Sequence, residues 1–350
     1  MSARRRGLPE SLRSRPDVLL VAATMALLVG LAVHQLAMNG DDLDVWDHMF
    51  VSGSVATIIG LWLAKQLPDR FELMLSRLKD RRALLSGNAS VSASEFQSLH
   101  ASLRRLARRV SILVSVCLGA GVGIVWAIVT VPGNSRAGPF DAYAGPAFGA
   151  VGGALVGWAL GYMLAAGLLA RTLRSHRITL AVTPAHPDGA AGLKPLGDYY
   201  LYQALLLAFG AAYLAAWSLL ILLDITERYD YWLEPYLALL ALVICLELAT
   251  FALPLWSVHR LMAAQRRSRL ARADKDLGSR VAGIHERLEG TLAPDERKQL
   301  TEQLEHLAAS FREAESMPTW PLDQSLRRRL TLSNLLLVVP LVGQVVKLAQ

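Results

Sequence analysis

The chain has 350 residues, 53% of them hydrophobic, with a formal charge of +7 and a mean hydropathy of +0.34. An ordinary soluble domain is about 45–50% apolar even when glycine is counted, so a wholly soluble globular protein is excluded. Two cysteines, Cys117 and Cys245, both lie inside apolar stretches, so a disulfide framework is not indicated.

The apolar residues fall into long runs. Val18 to Met38 follows five basic residues and is too long, and too poor in a small-residue cleavage site, for a secretory signal; it reads as a retained first helix. Met49 to Leu67 is the second run, Val110 to Val131 the third, Gly145 to Ala170 the fourth, Leu201 to Leu223 the fifth and Tyr236 to Trp256 the sixth. Each approaches or exceeds the roughly 20 residues that a helix needs to cross a bilayer. A seventh run, Leu330 to Leu348, is interrupted by Asn334, Pro340, Gln344 and Lys347.

Basic residues set the threading, because Lys and Arg beside span ends stay on the cytoplasmic side. With the N-terminus inside, 33 of the 36 Lys and Arg lie inside. The positive charge therefore reports topology and calls for no nucleic-acid partner. The expected setting is a bacterial inner membrane with the N-terminus in the cytoplasm.

After the second run the pattern turns amphipathic, with Phe71, Met74, Leu75 and Leu78 on one face, as though the second helix continued out of the membrane. Ser86 to Ser90 reads as a turn, and Ser92 with Glu95 forms a capping box that restarts a helix whose seam is Phe96, Leu99, Leu103, Leu106 and Val110. In the fourth run Gly145, Gly149, Gly153, Gly157 and Gly161 recur every fourth residue, a glycine zipper that lets another helix approach to near backbone contact. Beyond the sixth run, Leu277, Val281, Ile284 and Leu288 form one seam and Leu300, Leu304, Leu307 and Phe311 another.

The reading is an all-α polytopic membrane helix bundle of six spans and a weaker seventh, with two cytoplasmic helical hairpins. Residues 1–66 carry a basic segment and spans one and two; 67–109 are the first hairpin; 110–171 hold spans three and four; 172–200 are a cytoplasmic loop. Residues 201–257 hold spans five and six, 258–316 are the second hairpin, and 317–350 carry a PTWPLD segment and the last apolar helix. The partners expected are the bilayer, further copies of the chain, and a soluble cytoplasmic protein.

Glu247 stands near the middle of span six, where an ionised carboxylate costs on the order of 3 kcal/mol or more. Thr250 and Pro254 share its face, and the proline leaves the Thr250 carbonyl without its helical donor. These three are candidates to line an ion or proton path; the competing reading of Glu247 is a protonated group bonded to a neighbouring helix. In the loop between spans four and five, His186 and Asp188 are candidate ligands, and Gly189 and Gly192 permit unusual backbone angles; a loop clamped on the membrane surface is the plainer reading. No third His or Cys lies at zinc spacing, and no metal or other cofactor is expected. Gly119, Gly121 and Gly123 lie inside span three, without the strand and helix of a dinucleotide site. With no phosphate loop, HExxH or nucleophile elbow either, no catalytic residue and no enzyme are expected.

The segment HPDGAAGL at His186 to Leu193, then LGDYY, together with PTWPLD at Pro318 to Asp323, resembles a group of uncharacterised bacterial multi-pass membrane proteins. The resemblance covers about the C-terminal half and implies a bacterial inner-membrane setting, carrying over no site. Two functions follow as expectations: an oligomeric channel or transporter with Glu247 near its pathway or, alternatively, a membrane-anchored signalling or scaffold protein that recruits a partner through its hairpins.

Overall fold

The computed structural model describes residues 29–30, 48–87, 89–133, 139–183, 186–223, 233–288, 294–315 and 317–321. Their elements are α1 (His48–Ala64), α2 (Leu67–Asp80), β1 (Leu84–Ser86), β2 (Ala89–Ser90), α3 (Ala93–Gly133), α4 (Pro139–Gly167), α5 (Leu169–Ser175), β3 (Ile178–Leu180), α6 (Lys194–Leu222), α7 (Leu233–Leu288) and α8 (Pro294–Glu315). Four stretches of helix among the described residues are long and apolar enough to cross a membrane: Ala93–Ile128, Pro146–Gly167, Lys194–Leu222 and Leu233–Arg272. They match expected spans three to six. The run expected as span two falls on the shorter α1, of 17 residues, which is not among these four. Nearly all of span one, and all of the seventh run, lie outside the described residues.

The second helix does not continue unbroken. Pro68 has no N–H to give to the carbonyl of Ala64, so the ladder stops at Lys65 and Gln66, and α2 starts afresh with the proline in its first turn. Its buried face, Leu67, Met74, Leu75 and Leu78, agrees with the pattern in the sequence.

The fold is not purely helical. β1 is the centre of a three-stranded antiparallel sheet, paired with β2 through Leu85↔Ser90 and with β3 through Leu84↔Leu180 and Ser86↔Ile178. Strands of two or three residues are too short to show an alternating pattern, so the turn expected at Ser86 to Ser90 is visible in the sequence and its ladder is not. The sheet ties the connection between α2 and α3 to the connection between α5 and α6.

The capping box forms. Ser92 Oγ accepts from the Glu95 N–H at 3.3 Å, and the Ser92 N–H donates to Glu95 Oε2 at 2.9 Å. Ser86 Oγ adds a bond to Glu95 Oε1 at 2.8 Å, which fixes the strand to the helix start. Replacing Ser92 with alanine is expected to lower stability by about 1 kcal/mol, read as an earlier thermal unfolding midpoint. From this cap α3 runs 41 residues without a break, so hairpin arm and span three are one rod about 60 Å long.

α4 packs along α3, with Gly149, Gly153, Gly157 and Gly161 turned towards it. A Cβ on Gly157 would lie 2.7 Å from Ser115 Cα and from the Val114 carbonyl oxygen, and one on Gly161 would overlap the backbone of Ser111. Gly119 and Gly123 answer from α3, each against the backbone or Cβ of Ala150. Ser115 Oγ seals the contact by donating to the Ala154 carbonyl at 2.7 Å. Gly145 lies in α4 at a position whose surroundings fall outside the description.

α6 and α7 pack as an antiparallel pair. At the basic end of the bundle one continuous core joins α2, the sheet, α3, α5, α6 and α7, with Leu75, Leu99, Leu193, Leu196 and Leu255 wholly buried. α7 extends for 56 residues, about 84 Å, so that span six and the first arm of the second hairpin are again one helix. Gln265 and Arg269 on α7 donate to the Leu180 and Val182 carbonyls at 2.9 and 3.1 Å, which binds the emerging helix to the strand β3. The two hairpins therefore differ in build, the first closing through the paired strands β1 and β2 and the second through α8 folded back along α7.

Candidate functional site

The loop at residues 186–193 is built around the Asp188 carboxylate. Oδ1 accepts from the N–H groups of Ala190 and Gly192, both at 3.0 Å, and Oδ2 meets Arg81 Nη1 at 2.5 Å. The same Arg81 nitrogen reaches the Gly192 carbonyl at 3.3 Å. His186 Nδ1 lies 2.9 Å from Asp188 Oδ1 and accepts from the Asp188 backbone N–H at 3.3 Å. Burial pushes the Asp188 carboxyl up, but the bonds from Gly192 and Ala190 and the neighbouring His186 outweigh it and hold the group below the usual carboxylate range.

The backbone passes through the left-handed region at Gly189, Ala191 and Gly192, with φ of 66°, 54° and 87°. This turn drives Ala190, Ala191 and Leu193 fully into the core. Each lone pair of Asp188 that the geometry accounts for is spent on holding the loop, and no group of three His, Cys, Asp or Glu that could hold a metal occurs among the described residues. The arrangement is a clamp between the loop and the end of α2. Arg81 was not legible as its partner, since 107 residues separate it from Asp188 and nothing in the local sequence links them.

The late PTWP segment is a second clamp. Met317 is buried in the core, Trp320 stacks on His259 with centroids 4.2 Å apart, and the Thr319 carbonyl accepts from His259 Nδ1 at 2.8 Å. Leu322 and Asp323 of the motif lie outside the described residues.

Inside the bundle, Glu247 and Thr250 are 2% and 3% exposed. Thr250 Oγ1 donates back along its own helix, 2.8 Å from the Leu246 carbonyl and 3.2 Å from that of Glu247, so its hydroxyl is occupied within α7. Pro254 is buried one turn further on, with Gly167 of α4 against its ring. Pro254 and Tyr200 line one small apolar cavity, while Leu207 shares a cluster with Val243 and Leu246. Between those two levels α6 presents Gln203, which is fully buried, and α7 presents Glu247 and Thr250.

Gln203 escaped the sequence reading. Among the described residues neither amide atom of Gln203 makes a well-formed hydrogen bond, and the Tyr199 hydroxyl is its polar neighbour. A buried primary amide without partners costs about 1–3 kcal/mol. Its signal in the sequence was a single polar side chain in the run Leu201 to Gly210, weaker than a charge and easily passed over.

Fold and site define a multi-helix bundle of membrane character, capped on its basic face by a small folded unit and burying Gln203 on α6 and Glu247 and Thr250 on α7. No protein-family model, curated protein or solved structure matches the chain.

Proposed function

We propose that the chain is a multi-pass protein of a bacterial cytoplasmic membrane, its basic face and N-terminus inside, that conducts a proton or small cation past Glu247. The observation that carries this reading is the pairing of depth and chemistry: a carboxylic acid 2% exposed and an amide 0% exposed are buried within apolar stretches of two helices that pack together. Ionisable groups inside a membrane are costly and mark ion and proton routes by default. The Gln203 amide makes no well-formed hydrogen bond among the described residues, which suits a transient occupant better than a static core. Pro254 supports the route by freeing the Thr250 carbonyl from the helix ladder. Because the glycine face of α4 is taken up by α3 of the same chain, self-association belongs to other surfaces.

The test is Gln203→Leu in purified protein, read twice. A merely structural amide predicts a variant more stable by about 1–3 kcal/mol with nothing else changed, since an unsatisfied polar group has been removed. The conducting role predicts the same gain in thermal stability together with loss of ion flux in liposomes. Flux equal to that of the native chain would contradict the placement of Gln203 on the route.

The scaffold reading has its own supporting observation, the unbroken passage of α7 from the bundle into the α7–α8 arm. It predicts that a soluble protein co-purifies with the full chain and is lost when the 67–109 and 258–316 hairpins are disrupted.

A further inference from the structure

Six arginines are exposed where α3 and α5 meet at the basic end: Arg104, Arg105, Arg108 and Arg109 on α3, and Arg171 and Arg174 on α5. None forms an ion pair among the described residues, and Glu72, the nearby acid, is engaged by His100 at 3.4 Å. The two helices are held together beneath them by Leu99, Leu103, Leu169 and Leu173, so the guanidinium groups sit on a packed support.

The same helix continues from charge to hydrocarbon on one face. Arg105 and Arg109 are followed at helical spacing by Ile112, Leu113 and Val116, which are 55%, 63% and 65% exposed. The stripe from Arg105 to Val116 is about 16 Å long. With the chain threaded as proposed above, its basic part would adjoin the apolar stretch at the level of lipid phosphates and its apolar part would follow at the level of acyl chains.

We propose that this face is a binding site for an anionic phospholipid, with the headgroup phosphate on the arginines and an acyl chain along Ile112, Leu113 and Val116. Arginine suits the role because its planar fork meets phosphate oxygens in pairs. The threading bias explains why basic residues lie at this end; it does not call for a cluster with no ion pair among the described residues, on two packed helices, leading directly into an exposed aliphatic stripe. The site is independent of any route past Glu247, and one can fail without the other.

Native mass spectrometry of the full chain in non-ionic detergent, titrated with phosphatidylglycerol and with phosphatidylcholine of the same acyl chains, tests it. The native chain is expected to retain phosphatidylglycerol in preference. Arg105→Gln with Arg109→Gln weakens that retention by about fivefold for each arginine removed, while Arg272→Gln, on the distant part of α7, leaves it unchanged. Both arginines are exposed, so the double variant keeps the native unfolding temperature. Equal retention of the two lipids, or native retention by the double variant, overturns the proposal. Displacement of the lipid by inorganic phosphate alone also overturns it, by showing a soluble-anion site with no need of the aliphatic stripe.

Discussion

Gly161→Leu is expected to separate α3 from α4 and to abolish recovery of folded, monodisperse protein from detergent extracts. The contact leaves no room for adjustment, because what faces Gly161 is the backbone of Ser111 and Val110, which cannot rotate away as a side chain can. Overpacking of this kind costs about 3 kcal/mol where backbone must move, and in a bilayer no hydrophobic gain offsets it, since lipid is as apolar as leucine. Gly157→Leu is expected to behave in the same way against Ser115 and Val114. Gly121→Ala and Gly152→Ala provide the contrast, as an added Cβ there meets nothing within 4 Å. Size-exclusion chromatography with a thermal challenge reads all four variants. Normal recovery of Gly161→Leu would show that the α3–α4 contact is looser than described.

Asp188→Ala carries the second large effect. It strips an acceptor from the N–H groups of Ala190 and Gly192 and a counter-charge from Arg81, at the point where the backbone is held in left-handed geometry. Hydrogen bonds to charged groups contribute about 1.5–3 kcal/mol, so a loss of about 3 kcal/mol and early protease cleavage in the 186–193 loop are expected. The pH dependence has a definite sign. The folded-state pKa of Asp188 is depressed, so its contribution is complete above the unfolded value of about 3.9 and disappears as pH falls through the folded value. The stability gap between native chain and Asp188→Asn should therefore be constant near neutrality and shrink below about pH 4, as followed by thermal unfolding across pH. A gap that persisted at low pH would mean that shape, and not charge, makes Asp188 necessary.

How much of this was legible follows from the range of each interaction. The helices announce themselves because an apolar run of span length, or a face such as Met74, Leu75 and Leu78, is a local signal repeated many times. The capping box at Ser92 and Glu95 was equally local. The glycines of α4 revealed a tight contact and not its partner, because a small-residue face fits any close neighbour and α3 of the same chain is one of several helices that could supply it. The sheet was invisible because its strands are minimal and its central pairing joins residues almost a hundred apart, Leu84 with Leu180. The break at Lys65 has a local signal in Pro68, whose missing N–H ends the ladder even though the amphipathic pattern continues beyond it. Of the candidate sites, His186 and Asp188 were found for their chemistry, yet their geometry is that of a clamp. Glu247 was found because a charge stands out among apolar neighbours, and Gln203 was missed because an amide does not.

The central claim concerns Glu247 and is tested most directly by ion flux into liposomes containing purified protein, comparing the native chain with Glu247→Gln under proton and potassium gradients. Glutamine keeps the size and the hydrogen-bonding capacity of a protonated glutamate and removes the titration, so folding is preserved while proton exchange is lost. The account predicts flux by the native chain under at least one gradient, and flux by Glu247→Gln reduced or altered in its ion preference. No flux from the native chain, or identical flux from both proteins, would contradict it and leave Glu247 as a buried structural acid.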